Sequence, residues 1–129
     1  VPKLKIADAT LITLDQRRHK IGVILIIIGG GVDPASLPAA PSNLTATAQS
    51  TTQIKLAWTD NASNETQFRI ERCQGSTCSN FAQIKTVGAN STNYTDSNLR
   101  SKTAYRYRVR ASNTGGNSAY SNSAGATTK

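Results

Sequence analysis

The strongest constraint on the fold is an alternating segment near the C-terminal end. Residues 105–110 read Tyr-Arg-Tyr-Arg-Val-Arg. Successive side chains of a β-strand point to opposite faces, so Tyr105, Tyr107 and Val109 share one face and the three arginines share the other. The pattern predicts a strand with one face in a hydrophobic core and an arginine ladder on a solvated sheet face. The alternative interpretation of the same arginines is a surface that binds a polyanion.

Residues 42–129 contain several such short apolar segments, separated by turns rich in Asn, Ser, Gly and Asp. Seven strands in about 90 residues predict an all-β fold of two packed antiparallel sheets. The predicted strands are residues 44–48, 53–59, 67–72, 83–87, 93–96, 105–112 and 119–126.

The same alternation predicts most of the core, because apolar side chains two positions apart lie on one face of a strand. Trp58 is the only tryptophan and is expected between the sheets. The core residues predicted in this way are Ile54, Leu56, Trp58, Phe68, Ile70, Tyr105, Tyr107 and Val109.

Two cysteines, Cys73 and Cys78, lie five positions apart in a chain rich in Ser, Thr and Asn. An even cysteine count in such a chain predicts a local disulfide and an oxidising compartment. A metal site would need further Cys, His, Asp or Glu side chains nearby, and none are clustered in the sequence there.

Several spaced motifs resemble the fibronectin type III family in its microbial secreted form. The resemblance covers residues 41–129 and implies a seven-stranded, immunoglobulin-like sandwich. It also implies a domain that spaces, adheres or displays and has no activity of its own, and the Arg-Gly-Asp loop of some members is absent. The similar segments are residues 41–46, 54–60 with the core tryptophan, 68–72 and 105–113.

The spacing of Leu99 and Tyr105 is similar to the leucine and tyrosine-corner pair of that family. The resemblance therefore adds Leu44, in the opening strand, and Leu99 to the predicted core. It also implies that the Tyr105 hydroxyl bonds to backbone a few residues upstream.

The sequence offers few side chains that could act as a general acid or base. His19 is the only histidine, so we expect no enzyme activity and no cofactor. Asp60, Glu65, Glu71 and Asp96 are expected at turns and strand surfaces.

Residues 1–31 form a separate apolar arm, and residues 32–41, with three prolines, form a semi-rigid linker. Two β-prone segments, 3–14 and 21–28, joined by a polar turn, predict a hairpin, although a single long helix also fits the apolar spacing. The segment 21–28 is too short to span a bilayer, which needs about 20 apolar residues. The predicted arm residues are Leu4, Ile6, Leu11, Ile12, Leu14, Ile21, Val23, Ile24, Leu25, Ile26, Ile27 and Ile28.

An exposed apolar β-prone segment promotes aggregation, so we expect the arm to be buried against another surface. The preferred surface is another copy of the same chain, which predicts a homopolymer. Folding back on its own sandwich, packing in a larger truncated domain, and membrane association through the basic turn at residues 17–20 are the alternatives.

Five asparagines have Ser or Thr two positions later, the sequence required for N-glycosylation. Chance in a chain rich in Asn, Ser and Thr is the alternative explanation. The candidate sites are Asn43, Asn61, Asn64, Asn90 and Asn93.

The leading functional hypothesis is an extracellular or cell-surface structural protein, a filament subunit held together by the arm with the sandwich displayed outside. The alternative is an adhesion or carbohydrate-binding spacer module of a secreted enzyme or adhesin. In that case exposed tyrosines such as Tyr94 or Tyr120 would stack on sugar. The expected partners are copies of itself and a glycan or cell-surface ligand, whereas nucleic acid is not expected and membrane contact is disfavoured.

Overall fold

The computed structural model describes residues 36–129, so the predicted arm and residues 32–35 of the predicted linker lie outside the described residues. Residues Leu37–Lys129 form one compact unit. The part of the chain that is described contains strands and turns, with no helix long and apolar enough to cross a membrane.

The all-β prediction is confirmed, with two antiparallel sheets packed as a sandwich. The smaller sheet has the order β1-β2-β5, and the larger has the order β4-β3-β6, with β7 and β8 both pairing with β6. The strands are β1 (Ser42–Ala48), β2 (Ile54–Thr59), β3 (Gln67–Gln74), β4 (Ala82–Gly88), β5 (Asn93–Asp96), β6 (Ala104–Asn113), β7 (Gly116–Asn117) and β8 (Ala124–Thr127).

The core lies between the sheets, where the alternating apolar residues of facing strands meet. All ten residues predicted for the core are buried, and Ala111 joins them. Trp58 and Phe68 face each other across the sandwich with ring centroids 5.6 Å apart at a tilted angle of 56°. Burial of these large side chains supplies most of the driving force for closing the two sheets.

The last predicted strand, residues 119–126, differs from the structure, which has two shorter strands, β7 and β8. Between them, two serines pair with β6 through both backbone and side chain. The Ser118 and Ser121 amides donate to Ala111 O and Val109 O, and their hydroxyls accept from the Ala111 and Val109 amides. Hydroxyls thus replace carbonyls in the ladder, which satisfies β6 without regular strand geometry.

The tyrosine corner is present as the resemblance implied. The Arg100 amide donates a hydrogen bond of 3.0 Å to the Tyr105 hydroxyl, five residues downstream. Leu99 is buried beside it, and its amide donates to Thr52 O at 3.0 Å. The long β5–β6 connection is therefore fixed to the sandwich at its centre.

The domain has two poles, and the chain enters at one and leaves at the other. At the first pole, the Asn61 side-chain amide donates to Ala40 O at 3.0 Å, just before β1 begins. At the second pole, the Lys129 amide donates to Ser50 O at 3.1 Å, just after β1 ends. Since β1 spans seven residues, the two attachment points are separated by at least one strand length.

The expectation that all four acidic side chains lie at turns and strand surfaces is wrong for three of them, since Glu65, Glu71 and Asp96 are buried. Burial is tolerated because each carboxylate has partners. Asp96 accepts hydrogen bonds from Arg72 at 2.9 Å and from the Tyr107 hydroxyl at 2.8 Å. Burial, together with the bond to Asp96, raises the pKa of Tyr107.

Candidate functional site on the larger sheet

The outer surface of the larger sheet carries a charged cluster that β3 and β6 position together. In β6, Arg106, Arg108 and Arg110 alternate with the buried residues, so all three point away from the core. Register places Glu71 of β3 opposite Arg108 and Arg69 opposite Arg110. We call this surface the arginine face, and its members are Arg69, Glu71, Phe81, Arg106, Arg108, Arg110 and Tyr120.

Guanidinium groups and aromatic rings alternate across the arginine face. The Arg108 guanidinium lies 3.7 Å from the Tyr120 ring centroid and 4.4 Å from that of Phe81. The Arg110 guanidinium lies 4.5 Å from the same Tyr120 ring centroid, and the Arg106 guanidinium lies 5.6 Å from the Phe81 ring centroid. Each contact is within the range of a cation–π interaction. The arginine ladder predicted to be simply solvated is therefore a packed arginine–aromatic stack.

Glu71 lies buried beneath the stack and ties its members together. Its carboxylate accepts hydrogen bonds of 2.8 Å from Arg108 Nε and from the Tyr120 hydroxyl. Arg110 adds a longer ion pair of 3.7 Å. Burial raises the pKa of Glu71, but the bonds from Tyr120 and Arg108 outweigh it, so the pKa lies below its ordinary value. The carboxylate is therefore ionised at neutral pH, and burial together with the hydrogen bond to Glu71 raises the pKa of the Tyr120 hydroxyl.

The remaining arginines of the face are held by neutral groups. Arg69 donates from Nε to the Ser112 hydroxyl at 3.3 Å and from Nη1 to the Gln83 side-chain oxygen at 3.2 Å. Arg106 donates to Cys78 O and to the Ser123 hydroxyl. Among the described residues, the face therefore carries four guanidinium groups and one carboxylate, and only Arg108 and Arg110 contact that carboxylate.

Arg110 differs from the other arginines in how it is held. Its Nε is buried and has no hydrogen-bond partner among residues 36–129. Its ion pair with Glu71 is too long for a hydrogen bond. Stacking on Tyr120 therefore positions this guanidinium, and its terminal N–H groups make no hydrogen bond within the described domain.

The predicted disulfide is confirmed at one end of the arginine face. Cys73 and Cys78 are bonded with their Cα atoms 6.0 Å apart, and the described residues contain no free cysteine. The bridge closes the loop that carries Cys78 O, the acceptor of Arg106. Within residues 36–129, no three His, Cys, Asp or Glu side chains lie close enough together to hold a metal ion.

Tyr94 and Tyr120, considered as sugar-stacking residues, are half-buried rather than exposed. Tyr94 packs against the core, and Tyr120 has Arg108 and Arg110 against its ring. The Tyr120 ring therefore does not offer the free face that the alternative hypothesis expected.

All five sequon asparagines are exposed. The Asn61 side-chain nitrogen, however, donates to Ala40 O and to the Ser42 hydroxyl.

The predicted arm residues lie outside the described residues.

Three members of the arginine face, Arg69, Glu71 and Phe81, were not linked by the sequence analysis to the arginines of β6. Phe81 precedes β4 and shows no alternation with its neighbours, so nothing in the pattern linked it to the arginines of β6. Glu71 was placed on a strand surface, and only the register of β3 against β6 shows it opposite Arg108. That register follows from pairing over eight residue pairs, which local sequence does not reveal.

The two packed antiparallel sheets and the tyrosine corner together define an immunoglobulin-like β-sandwich domain. The sequence model of the fibronectin type III domain matches residues 39–127. The chain therefore belongs to the fibronectin type III family.

Solved structures agree with this assignment. An Fn3-like protein from Clostridium thermocellum is 31% identical, with a TM-score of 0.59, over 70% of this chain and 92% of that one. Domains A168–A170 from titin are 30% identical, with a TM-score of 0.63, over 72% of this chain and 32% of that one.

A stretch of an alpha-amylase from Niallia circulans is 41% identical to this chain over 101 residues, which is 75% of this chain and 7% of the amylase. The chain thus spans about 7% of the length of that curated relative.

Proposed function

We propose that the described domain is a non-catalytic spacer module of an extracellular enzyme that acts on polysaccharide. The position of its poles carries the proposal: the chain enters the sandwich beside Ala40 and leaves it beside Ser50, at the far end of β1. Neighbouring parts of a longer protein would then be held apart by the length of the sandwich. A strand of ten residues such as β6 corresponds to roughly 34 Å.

The class of enzyme is suggested by the similarity to a segment of an alpha-amylase. A segment that is 7% of a large enzyme fits a module appended to catalytic parts better than it fits the catalytic parts themselves. The extracellular location is supported by the Cys73–Cys78 disulfide, because such bonds persist in oxidising compartments.

The filament hypothesis receives less support. It depends on the arm at residues 1–31, which lies outside the described residues, whereas the family match covers residues 39–127. The comparisons therefore favour the alternative hypothesis, a spacer module of a secreted enzyme, over the filament subunit.

A chimera tests the spacer proposal. In the Niallia circulans amylase, the matching segment is replaced by Leu37–Lys129 of this chain, by a Gly/Ser segment of the same number of residues, or deleted. We expect all three proteins to hydrolyse soluble starch at similar rates. On granular starch, the chimera should keep the parental activity, while the flexible and deleted forms lose it, because a Gly/Ser chain does not hold a fixed distance.

Equal activity of all forms on granular starch would refute the spacer proposal. A catalytic contribution is tested with the same reagents: this chain added alone to soluble starch should release no reducing ends. Release above the level of a heat-denatured sample would show that the domain is catalytic.

A further inference from the structure

We propose that the arginine face binds an acidic polysaccharide through the carboxylates of its uronate residues. The choice of a polysaccharide over other polyanions rests on the proposed function. The site itself rests on the geometry of the larger sheet.

The first observation is a pair of like charges in direct register. Arg69 of β3 lies opposite Arg110 of β6, and both side chains point outward. Side chains in such positions have Cβ atoms about 4.5–5.5 Å apart, and like charges there repel. Among the described residues, the Glu71 carboxylate lies 3.7 Å from the Arg110 guanidinium and forms no hydrogen bond or ion pair with Arg69, whose partners are Ser112 and Gln83. A carboxylate placed between the two guanidinium groups would relieve the repulsion.

The second observation is that the donors are held in place before a ligand arrives. Arg69 is fixed by Ser112 and Gln83, and Arg110 is fixed by stacking on Tyr120. The Arg108 and Arg110 side chains remain 29% and 25% exposed, so their edges reach solvent. Fixed side chains lose little conformational entropy on binding, and the planar guanidinium fork matches a carboxylate in two hydrogen bonds.

The third observation is the spread of charge. Arg106, Arg108 and Arg110 repeat along β6 at every second residue, which places their Cα atoms about 6.7 Å apart. The carboxylates of Asp60, Glu65 and Asp96 lie in the β2–β3 loop or at the end of β5, away from this face. A linear ligand with a carboxylate on each sugar can therefore contact several arginines at once.

Nucleic acid fits this surface less well. Proteins that bind single strands stack bases on free aromatic faces. Here the Tyr120 ring is covered by Arg108 and Arg110, and the Phe81 ring by Arg106 and Arg108. The rings position the arginines, and the edges of the guanidinium groups are exposed at the surface.

The test measures binding of the full chain to polygalacturonate by calorimetry at low ionic strength. Methyl-esterified galacturonan, with the same backbone and no charge, is the ligand control. The variant Arg69→Gln/Arg110→Gln should bind polygalacturonate about tenfold more weakly. The matched control Lys55→Gln/Arg100→Gln removes two exposed charges elsewhere on the domain and should change affinity by no more than about twofold.

A second variant, Arg69→Lys/Arg110→Lys, keeps the charge and removes the fork, and we expect an intermediate loss. It keeps the test valid if the glutamine variant unfolds, which circular dichroism would show. The proposal is overturned if polygalacturonate does not bind, if the esterified polymer binds equally, or if both double glutamine variants lose affinity alike. Tighter binding of inorganic polyphosphate through the same arginines would also overturn it, in favour of a phosphate polymer.

The spacer proposal has a separate test, on granular starch. Granular starch carries no uronate, so the amylase chimera bearing Arg69→Gln/Arg110→Gln should hydrolyse it as well as the unmodified chimera does. Loss of that activity would show that the arginine face serves spacing rather than ligand binding.

Discussion

At the scale of single residues, the buried carboxylates of this domain are satisfied by partners far away in sequence. Asp96 accepts hydrogen bonds from Arg72 and Tyr107, and Glu65 accepts one from the Asn90 amide at 2.9 Å. Asn90 adopts a positive φ of 67°, as its place in a predicted turn allows. The sequence indicated the turn but not the bond, because alternation reports which face a residue occupies and not which residue lies across from it.

The Tyr105 hydroxyl provides a residue-scale prediction. Tyr105→Phe removes the acceptor of the Arg100 amide and keeps the ring in the core. We expect the free energy of unfolding to fall by about 1–3 kcal/mol, because a part-buried amide loses its partner. Urea denaturation measures this. Tyr94→Phe is the matched control, since its hydroxyl has no hydrogen bond among residues 36–129, and an equal loss in both variants would contradict the role of the corner.

At the scale of elements, the strands that alternate clearly were predicted, and the ones that depend on side-chain bonding were not. β2, β3, β5 and β6 lie close to their predicted bounds. The segment between β7 and β8 is held by Ser118 and Ser121, whose hydroxyls look in the sequence like ordinary surface serines. The disulfide was predictable from cysteine count and spacing, and it fixes the loop between β3 and β4.

Glu71 joins β3, β6 and the segment before β8, which makes the pH dependence of stability an element-scale prediction. Its pKa is lowered in the folded domain below the ordinary value of 4.5. A lowered pKa contributes stability above about pH 4.5 that disappears as the pH falls through the folded value. Glu71→Gln should therefore be less stable than the wild type by about 1–3 kcal/mol at pH 7, and the difference should shrink at pH 3.

Urea midpoints of both proteins at the two pH values measure this effect. The raised pKa of Asp60, caused mainly by its burial, acts in the opposite sense in both proteins and cancels in the comparison. A difference between wild type and variant that is the same at pH 7 and pH 3 would show that charge on Glu71 plays no part.

At the scale of the whole molecule, the sandwich and its core followed from alternation and from the family resemblance. The arginine face did not, because Phe81, Glu71 and Tyr120 come from three separate parts of the chain. The arm at residues 1–31 was predicted to cause self-association, and that prediction concerns residues outside the described domain.

Sedimentation velocity tests this whole-molecule prediction. The spacer proposal expects a monomer both for the full chain and for a variant that begins at Leu37. The filament hypothesis expects large assemblies of the full chain only, with electron microscopy showing fibres. Because the variant keeps the whole compact unit, assembly that persists in it would locate self-association in the sandwich and contradict both views of the arm.

The placement of the two poles also determines how the domain responds to tension. β1 packs beside β8, and it is bonded to the segment that leads into β8, where the Leu44 amide donates to the Asn122 side chain at 2.9 Å and the Leu44 carbonyl accepts from it at 3.0 Å. A force that pulls the two ends of the domain apart acts on these neighbours in opposite directions along their length. Their contacts are then loaded in shear, so they must rupture together rather than open one at a time.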